Sequence, residues 1–307
     1  MSITAQMVKE LRVKSSAGMM DCKKALSETN GDMEAAIDWL RKKGLSSASK
    51  KSGRIASEGL VGIQINNQEA SIVEVNSETD FVARNTEFQS FVKDICTLSI
   101  ESSEDIQLLL EKKYPQSDLK VKDVLNEKIA KIGENISIRR INSINLEEGV
   151  ISGYIHNHIE KDLGKIGVLV ALQTSSKDSK VDILGKQIAM HIAATSPASV
   201  SIDDLSDDLI KREKAVLMDQ AISSGKPEDI AKKMVEGRLR KFYSEVVLME
   251  QVFVLDGETK ISDVISKVSK EINSEIHISR FIRYNLGEGI EKVDKNFAEE
   301  VAEQLND

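Results

Sequence analysis

A chain of 307 residues is long enough to bury one large core and, by ordinary domain sizes, to hold two or three modules. With 30% charged and 4% aromatic residues it does not have the makeup of a disordered chain, and fits a helix-rich protein with an aliphatic core. A net charge of −8 argues against nonspecific nucleic-acid binding, because phosphate neutralisation needs clustered Lys and Arg.

Lys9 and Glu10 interrupt the stretch that a signal peptide would keep apolar. No later segment approaches about 18 uninterrupted apolar residues, so neither secretion nor membrane insertion is expected, and the cytoplasm is the expected compartment. Cys22 and Cys96 stand far apart without a CxxC neighbour, which provides neither a disulfide framework nor a zinc knuckle. The charge is uneven: residues 1–55 hold eleven Lys and Arg against six Asp and Glu. A basic head on an acidic body suggests that the head meets an acidic surface, although a solvated linker explains Lys50 and Lys51 equally well.

Residues 4–43 read as three short helices. The first follows a Thr4 N-cap and carries Met7, Val8 and Leu11 on one face; the second places Met19, Cys22, Ala25 and Leu26 on one stripe. Asn30-Gly31-Asp32 makes a turn and cap for the third, with Met33, Ala36, Ile37 and Leu40 at helical spacing. Gly44 is expected to end it, and the Ser-rich run 46–53 reads as a linker.

The pattern then changes to period two, with Val61, Ile63 and Ile65, an Asn66-Asn67 turn, and Ile72, Val73 and Val75, which predicts a β-hairpin. A loop containing Thr79-Asp80-Phe81-Val82 leads to a helix announced by a Thr86-x-x-Gln89 capping box and bearing Phe88, Phe91, Val92 and Ile95. A further helix through Val121, Val124, Leu125, Ile129 and Ile132 stops at Gly133, and a strand through Ile136 and Ile138 follows.

The second half echoes this plan. Glu148-Gly149-Val150-Ile151 restarts as Glu58-Gly59-Leu60-Val61 did, and a hairpin through 167–170 and a helix through Ile188 and Ile192 come next. Two long helices, over 203–223 and 228–247, are joined by a turn ending Gly225-Lys226-Pro227 and predict an inserted helical hairpin. Asn296-x-x-Glu299 would cap a terminal helix with Phe297, Val301 and Leu305. The expected fold is α+β. Its parts are a three-helix module and linker (1–54), a first antiparallel core subdomain (55–145), a related second (146–202 and 248–286), the helical hairpin (203–247) and a C-terminal module (287–307).

No GxxxxGK[ST] and no GxGxxG in a strand-to-helix context is present, so direct nucleotide binding is not expected. The pair His156 and His158, with His191, invites a metal-hydrolase reading, but no HExxH supports it; no metal or cofactor is expected. Two apolar residues resist a core explanation. Met20 falls nearly opposite the buried stripe of its helix, beside Lys23, and either adapts to a partner or packs on the body. Phe81, directly after an acid, either staples the helix start or acts as a wedge.

Several blocks in register resemble the elongation factor Ts family: Lys9-Glu10-Leu11-Arg12, Ala17-Gly18-Met19-Met20-Asp21-Cys22-Lys23-Lys24-Ala25-Leu26, Thr79-Asp80-Phe81-Val82-Ala83, Lys131-Ile132-Gly133-Glu134-Asn135, Ile188-Ala189-Met190-His191-Ile192-Ala193, Gly225-Lys226-Pro227 and Met234-Val235-Glu236-Gly237-Arg238. The resemblance implies an amino-terminal module similar to a ubiquitin-associated domain, a core that holds elongation factor Tu, and a projecting helical hairpin that leaves self-association open. It implies a guanine-nucleotide exchange factor without covalent catalysis. The Asp80-Phe81 loop would intrude beside the partner's magnesium site, with Met19, Met20 and Lys23 on its GTPase domain. Ile132, Gly133 and His156 are further implied contacts, and Arg12, Thr79 and Val82 lie in the same motifs. The segment 157–165 is longer than expected after the family histidine, so His158 competes with His156 for that role. The segment 173–185 also looks enlarged, and the terminal helix from Asn296 would pack on the partner.

Overall fold

Alternating apolar residues make the strands, and β-strands such as 69–77 and 166–173 bury both of their faces because sheets and helices stack in layers. The computed structural model describes residues 3–15, 17–102, 104–115, 117–223 and 227–291. The expected terminal helix from Asn296 lies outside them, as do Gly225 and Lys226. Three helices open the chain: α1 (Ala5–Ser15), α2 (Met19–Glu28) and α3 (Met33–Lys51). Thr4 Oγ1 accepts from the Met7 amide and Asp32 from the Ala35 amide, so both predicted caps form. Leu11, Cys22, Ala25, Leu26 and Ala36 are their shared core.

The linker expectation is corrected. α3 runs on through Gly44 to Lys51, and Ala48 near its end is buried in the next core. Gly in a helix costs about 1 kcal/mol against Ala, a local penalty that burial along the neighbouring helix α7 (Val121–Ile132) offsets.

β1 (Glu58–Asn66) and β2 (Glu69–Ser77) form the predicted hairpin, with Asn67 in the left-handed region at φ 55°. After them come α4 (Asp80–Ala83), α5 (Thr86–Ser99), α6 (Ile106–Glu111), α7 and β3 (Ile136–Asn145). The capping box is also corrected. Asn85, one residue earlier, caps α5 by accepting from the amides of Glu87 and Phe88, while Gln89 donates to the Ala83 carbonyl. The second half runs through β4 (Val150–His156), β5 (Leu163–Gly164), β6 (Ile166–Gln173), α8 (Ser179–Thr195), the helical pair α9 (Asp207–Ser223) and α10 (Glu228–Val246), α11 (Ile261–Ile272) and β7 (His277–Asn285). α9 starts four residues later than expected, and Pro227 is the residue before α10. In the segment 173–185, Asp178 caps α8 by accepting from the Lys180 amide, which leaves only a short connection after β6.

Two antiparallel sheets result, ordered β3-β2-β1-β5 and β4-β6-β7. Their facing surfaces pack through Val61, Ile63, Ile72, Leu169, Ala171 and Ile282. The outer face of the first meets α5 and α7 through Phe88, Phe91 and Val124; that of the second meets α8 and α11 through Leu184, Ile188 and Ile265. The order is therefore helices, sheet, sheet, helices. The segment 157–165 carries β5, which pairs Gly164 with Val61 and so ties the second half to the edge of the first sheet.

Gly59 and Gly149 show how closely the halves correspond. Both have φ in the region closed to most side chains, +120° and +135°, and a Cβ on either would come within 2.2 Å and 2.1 Å of the Val75 and Leu172 carbonyl oxygens. The register also breaks at matching places, between Glu74 and Val75 in β2 against β3 and between Ala171 and Leu172 in β6 against β7.

The first of these breaks makes Arg139 a bulged residue, and Arg139 and Arg140 both reach the fully buried Glu74. Glu74 Oε1 accepts from Arg139 at 3.0 Å and from the Gly287 amide at 2.9 Å, and Oε2 accepts from Arg140 Nε at 2.6 Å. Arg140 also donates to the Asn285 carbonyl and lies 4.1 Å over the Tyr284 ring. Replacing Glu74 with Ala removes the shared anion from Arg139 and Arg140, leaving Arg140 its pair with Glu288, and a loss of about 3 kcal/mol in unfolding free energy is expected in urea denaturation.

Candidate functional site

Four residues are too few to hold a helix alone, so α4 owes its form to its surroundings. Val82 and Ala83 are buried in the first core, and the Phe81 and Val82 carbonyls accept from the amides of Arg84 and Asn85. At the other end the Thr79 amide and hydroxyl both donate to the Glu134 carboxylate, at 2.9 Å and 2.6 Å. Glu134 follows Gly133, which ends α7 in the left-handed conformation at φ +88°. The Glu78 carboxylate accepts from the Asn135 amide, and Asn135 Nδ2 donates to the Arg54 carbonyl at 2.7 Å. Thr79 to Val82 and Ile132 to Glu134 are thereby one braced corner.

Phe81 points out of that corner with 78% of its surface exposed. It does not staple the start of α5. Leaving a Phe side chain in water forgoes about 2 kcal/mol of burial. A single exposed apolar residue is ordinary; this one sits on a firmly anchored turn. Val82, implied with it as a partner contact, is buried and serves as the anchor; Thr79 is half-buried and tied to Glu134.

On α2, Met20 is 76% exposed and Met19 60%. Met19 is therefore off the buried stripe to which its spacing assigned it, and Met20 does not pack on the body. Arg12 and Lys23 are exposed as well. Gly18 and Asp21 at the start of α2 line a cleft together with Glu87 and Lys131. Those two form an ion pair at 2.6 Å, and the hydrogen bond from Lys131 holds the Glu87 carboxyl below its usual range. The start of α2 and the end of α7 that leads into the Phe81 corner thus line one cleft. His156, exposed at the end of β4 with Nδ1 3.1 Å from the Tyr154 hydroxyl, is not part of that corner; His158 is exposed on the loop beyond it.

The histidines do not make a metal site. His191 is fully buried on α8, where Nδ1 accepts from the Val254 amide and Nε2 lies 2.9 Å from Gln251 Oε1, which defines a neutral ring donating from Nε2. Among the described residues no three His, Cys, Asp or Glu side chains gather as a metal requires. Nor is any described helix long and apolar enough to cross a membrane. Sequence reasoning missed Glu134 and Glu78, which brace the presenting turn; the one signal was that Glu134 lies inside a recognisable block.

The class that the fold defines is an α+β protein, and it carries Phe81, Met19, Met20, Arg12 and Lys23 exposed on its surface. Residues 78–288 match the family described as Elongation factor TS. The chain is 53% identical over 300 residues to an Elongation factor Ts from Rhodospirillum centenum, covering 98% of each chain. It is 53% identical over 304 residues to one from Rhodospirillum rubrum, covering 99% of this chain and 98% of the relative. For one from Zymomonas mobilis the identity is 51% over 300 residues, covering 98% and 97%. The chain belongs to the elongation factor Ts family, and so to the elongation factors of protein synthesis.

Two outcomes are expected. Glu134→Ala should speed hydrogen exchange at the Thr79 amide, which loses its acceptor, with the global unfolding midpoint shifted far less than by Glu74→Ala. His191 gives a pH signature: burial lowers its pKa, against the opposing hydrogen bond to Gln251. The unfolded chain then takes up the proton first, so the stability His191 contributes is present above about pH 6.5 and is lost as pH falls toward the lowered native value. His191→Gln should make the dependence of the urea midpoint on pH shallower below about pH 6.5.

Proposed function

We propose that this protein is a guanine-nucleotide exchange factor for elongation factor Tu in translation elongation, working in the cytoplasm by protein-protein contact and without covalent chemistry. Family membership supports the role. The observation that carries the mechanism is Phe81, outward on a turn that is anchored from below by Val82 and from the side by Glu134.

GDP is held on a GTPase by backbone amides around its phosphates and by magnesium. An aromatic pushed in beside that metal site shifts the partner between two packed arrangements, since packed side chains do not deform continuously. Arg12, Met19, Met20 and Lys23 supply binding from the head, a module read as similar to a ubiquitin-associated domain. Ile132, Gly133 and His156 extend the contact along the body, whose two related halves hold the partner. Release then follows from linkage: the factor weakens nucleotide binding by the same ratio as nucleotide weakens factor binding, so incoming GTP helps to dissociate the complex.

The test is release of a fluorescent GDP analogue from elongation factor Tu. Wild type should accelerate it and Phe81→Ala should lose most of that acceleration, with an unfolding midpoint close to wild type because so exposed a ring contributes little to the core. Equal acceleration by a folded Phe81→Ala protein would refute the wedge.

A further inference from the structure

The head is joined to the Phe81 corner by a continuous set of braces. Within the head, Lys43 on α3 pairs with Asp21 on α2 and lies over the Trp39 ring. α3 then crosses α7, where Arg41 pairs with Asp123 at 3.0 Å. A Cβ on Gly44 would touch that of Ala130 at 3.8 Å, and Ala48 one turn further on is buried in the body. α7 runs on to Gly133 and to Glu134, which holds Thr79 beside Phe81.

Arg41 has an unusual place in this path. Asp38 and Glu127 lie near enough for their charges to act on it along with Asp123, whose side chain is only 15% exposed. Removal of Arg41 leaves Asp123 and Glu127 as neighbouring acids on α7, with Lys128 acting on Glu127 and Lys120 on Asp123. Gly44 and Ala48 fix how close α3 and α7 come, but small side chains leave rotation and sliding open. The directed ion pair from the half-exposed Arg41 restricts those freedoms.

We propose that Arg41, through Asp123, is a positioning residue for nucleotide exchange, setting the spacing between the head contacts on α2 and the Phe81 wedge; this rests on the exchange reading above. The two contact points then meet the partner at a fixed separation, and head binding raises the local concentration of the wedge at its target. Loss of the brace weakens binding without altering the step that Phe81 performs.

The experiment measures accelerated GDP release from elongation factor Tu against factor concentration for wild type, Arg41→Glu, and the charge swap Arg41→Glu with Asp123→Arg. Arg41→Glu should raise the half-saturating concentration roughly three- to tenfold with the maximal rate kept, and the swap should recover most of the loss. A half-saturating concentration unchanged in Arg41→Glu, or a loss the swap does not repair, overturns the proposal. Spin labels at Lys24 and Thr97, both exposed, provide a readout independent of exchange: the head-to-body distance should be narrow in wild type and in the swap, and broad in Arg41→Glu. Equal widths in all three also overturn it. A wild-type protein that fails to accelerate GDP release sinks the exchange reading instead, and the distances still decide whether Arg41 sets the geometry.

Discussion

The buried carboxylate of Glu74 is the constraint around which the two sheets are arranged. Taking a carboxylate out of water costs several kcal/mol even after the surroundings relax, so it survives only where donors converge on it. Here Asn76 donates from the same strand, and the other donors come from distant parts of the chain: Arg139 and Arg140 on β3 and the Gly287 amide beyond β7. In a regular strand adjacent side chains point to opposite faces, and two neighbouring arginines would not share one partner. The bulge removes that conflict. β7 has a bulge at the matching place, but Ser279 stands there and donates to the Ala171 carbonyl. The two halves therefore share a backbone plan and differ in the charge built on it, and that charge locks the end of the second sheet against the first. The helices on the outer faces take their positions from sheets fixed in this way.

Much of this was legible in the sequence wherever local rules decide the outcome. Period two located β1 and β2, Asp32 capped α3, Gly133 ended α7, and the Glu-Gly pairs marked equivalent strand starts. Some errors are local, as with Asn85 in place of Thr86 as the cap of α5, and the larger ones fall where a distant contact overrides the local signal. Gly44 and the serines after it read as a linker, and only the burial of Ala48 in the body shows why the helix continues. β5 is two residues long and is a strand solely because β1 lies beside it. The staple and wedge readings of Phe81 could not be separated from composition, because on a single turn the choice depends on which side chains the core accepts; it accepts Val82 and Ala83. The Glu134 brace was out of reach, since nothing local pairs Thr79 with a carboxylate 55 residues away.

A rigid mount matters for what Phe81 does under the exchange reading. Ordering a loop residue on binding costs about 1–2 kcal/mol, and that cost is drawn from the free energy available to displace a tightly held nucleotide. A four-residue helix fixed by two buried side chains and a bidentate carboxylate has met that cost during folding. An aromatic side chain adds few rotatable bonds of its own, so nearly all of its contact energy is available to favour one state of the partner over the other. Only that difference moves an equilibrium: a group that bound both states equally would add affinity and no exchange. Stiffness at Thr79 and exposure at Phe81 are thus parts of one physical requirement, and the buried Val82 between them lets a short turn meet both.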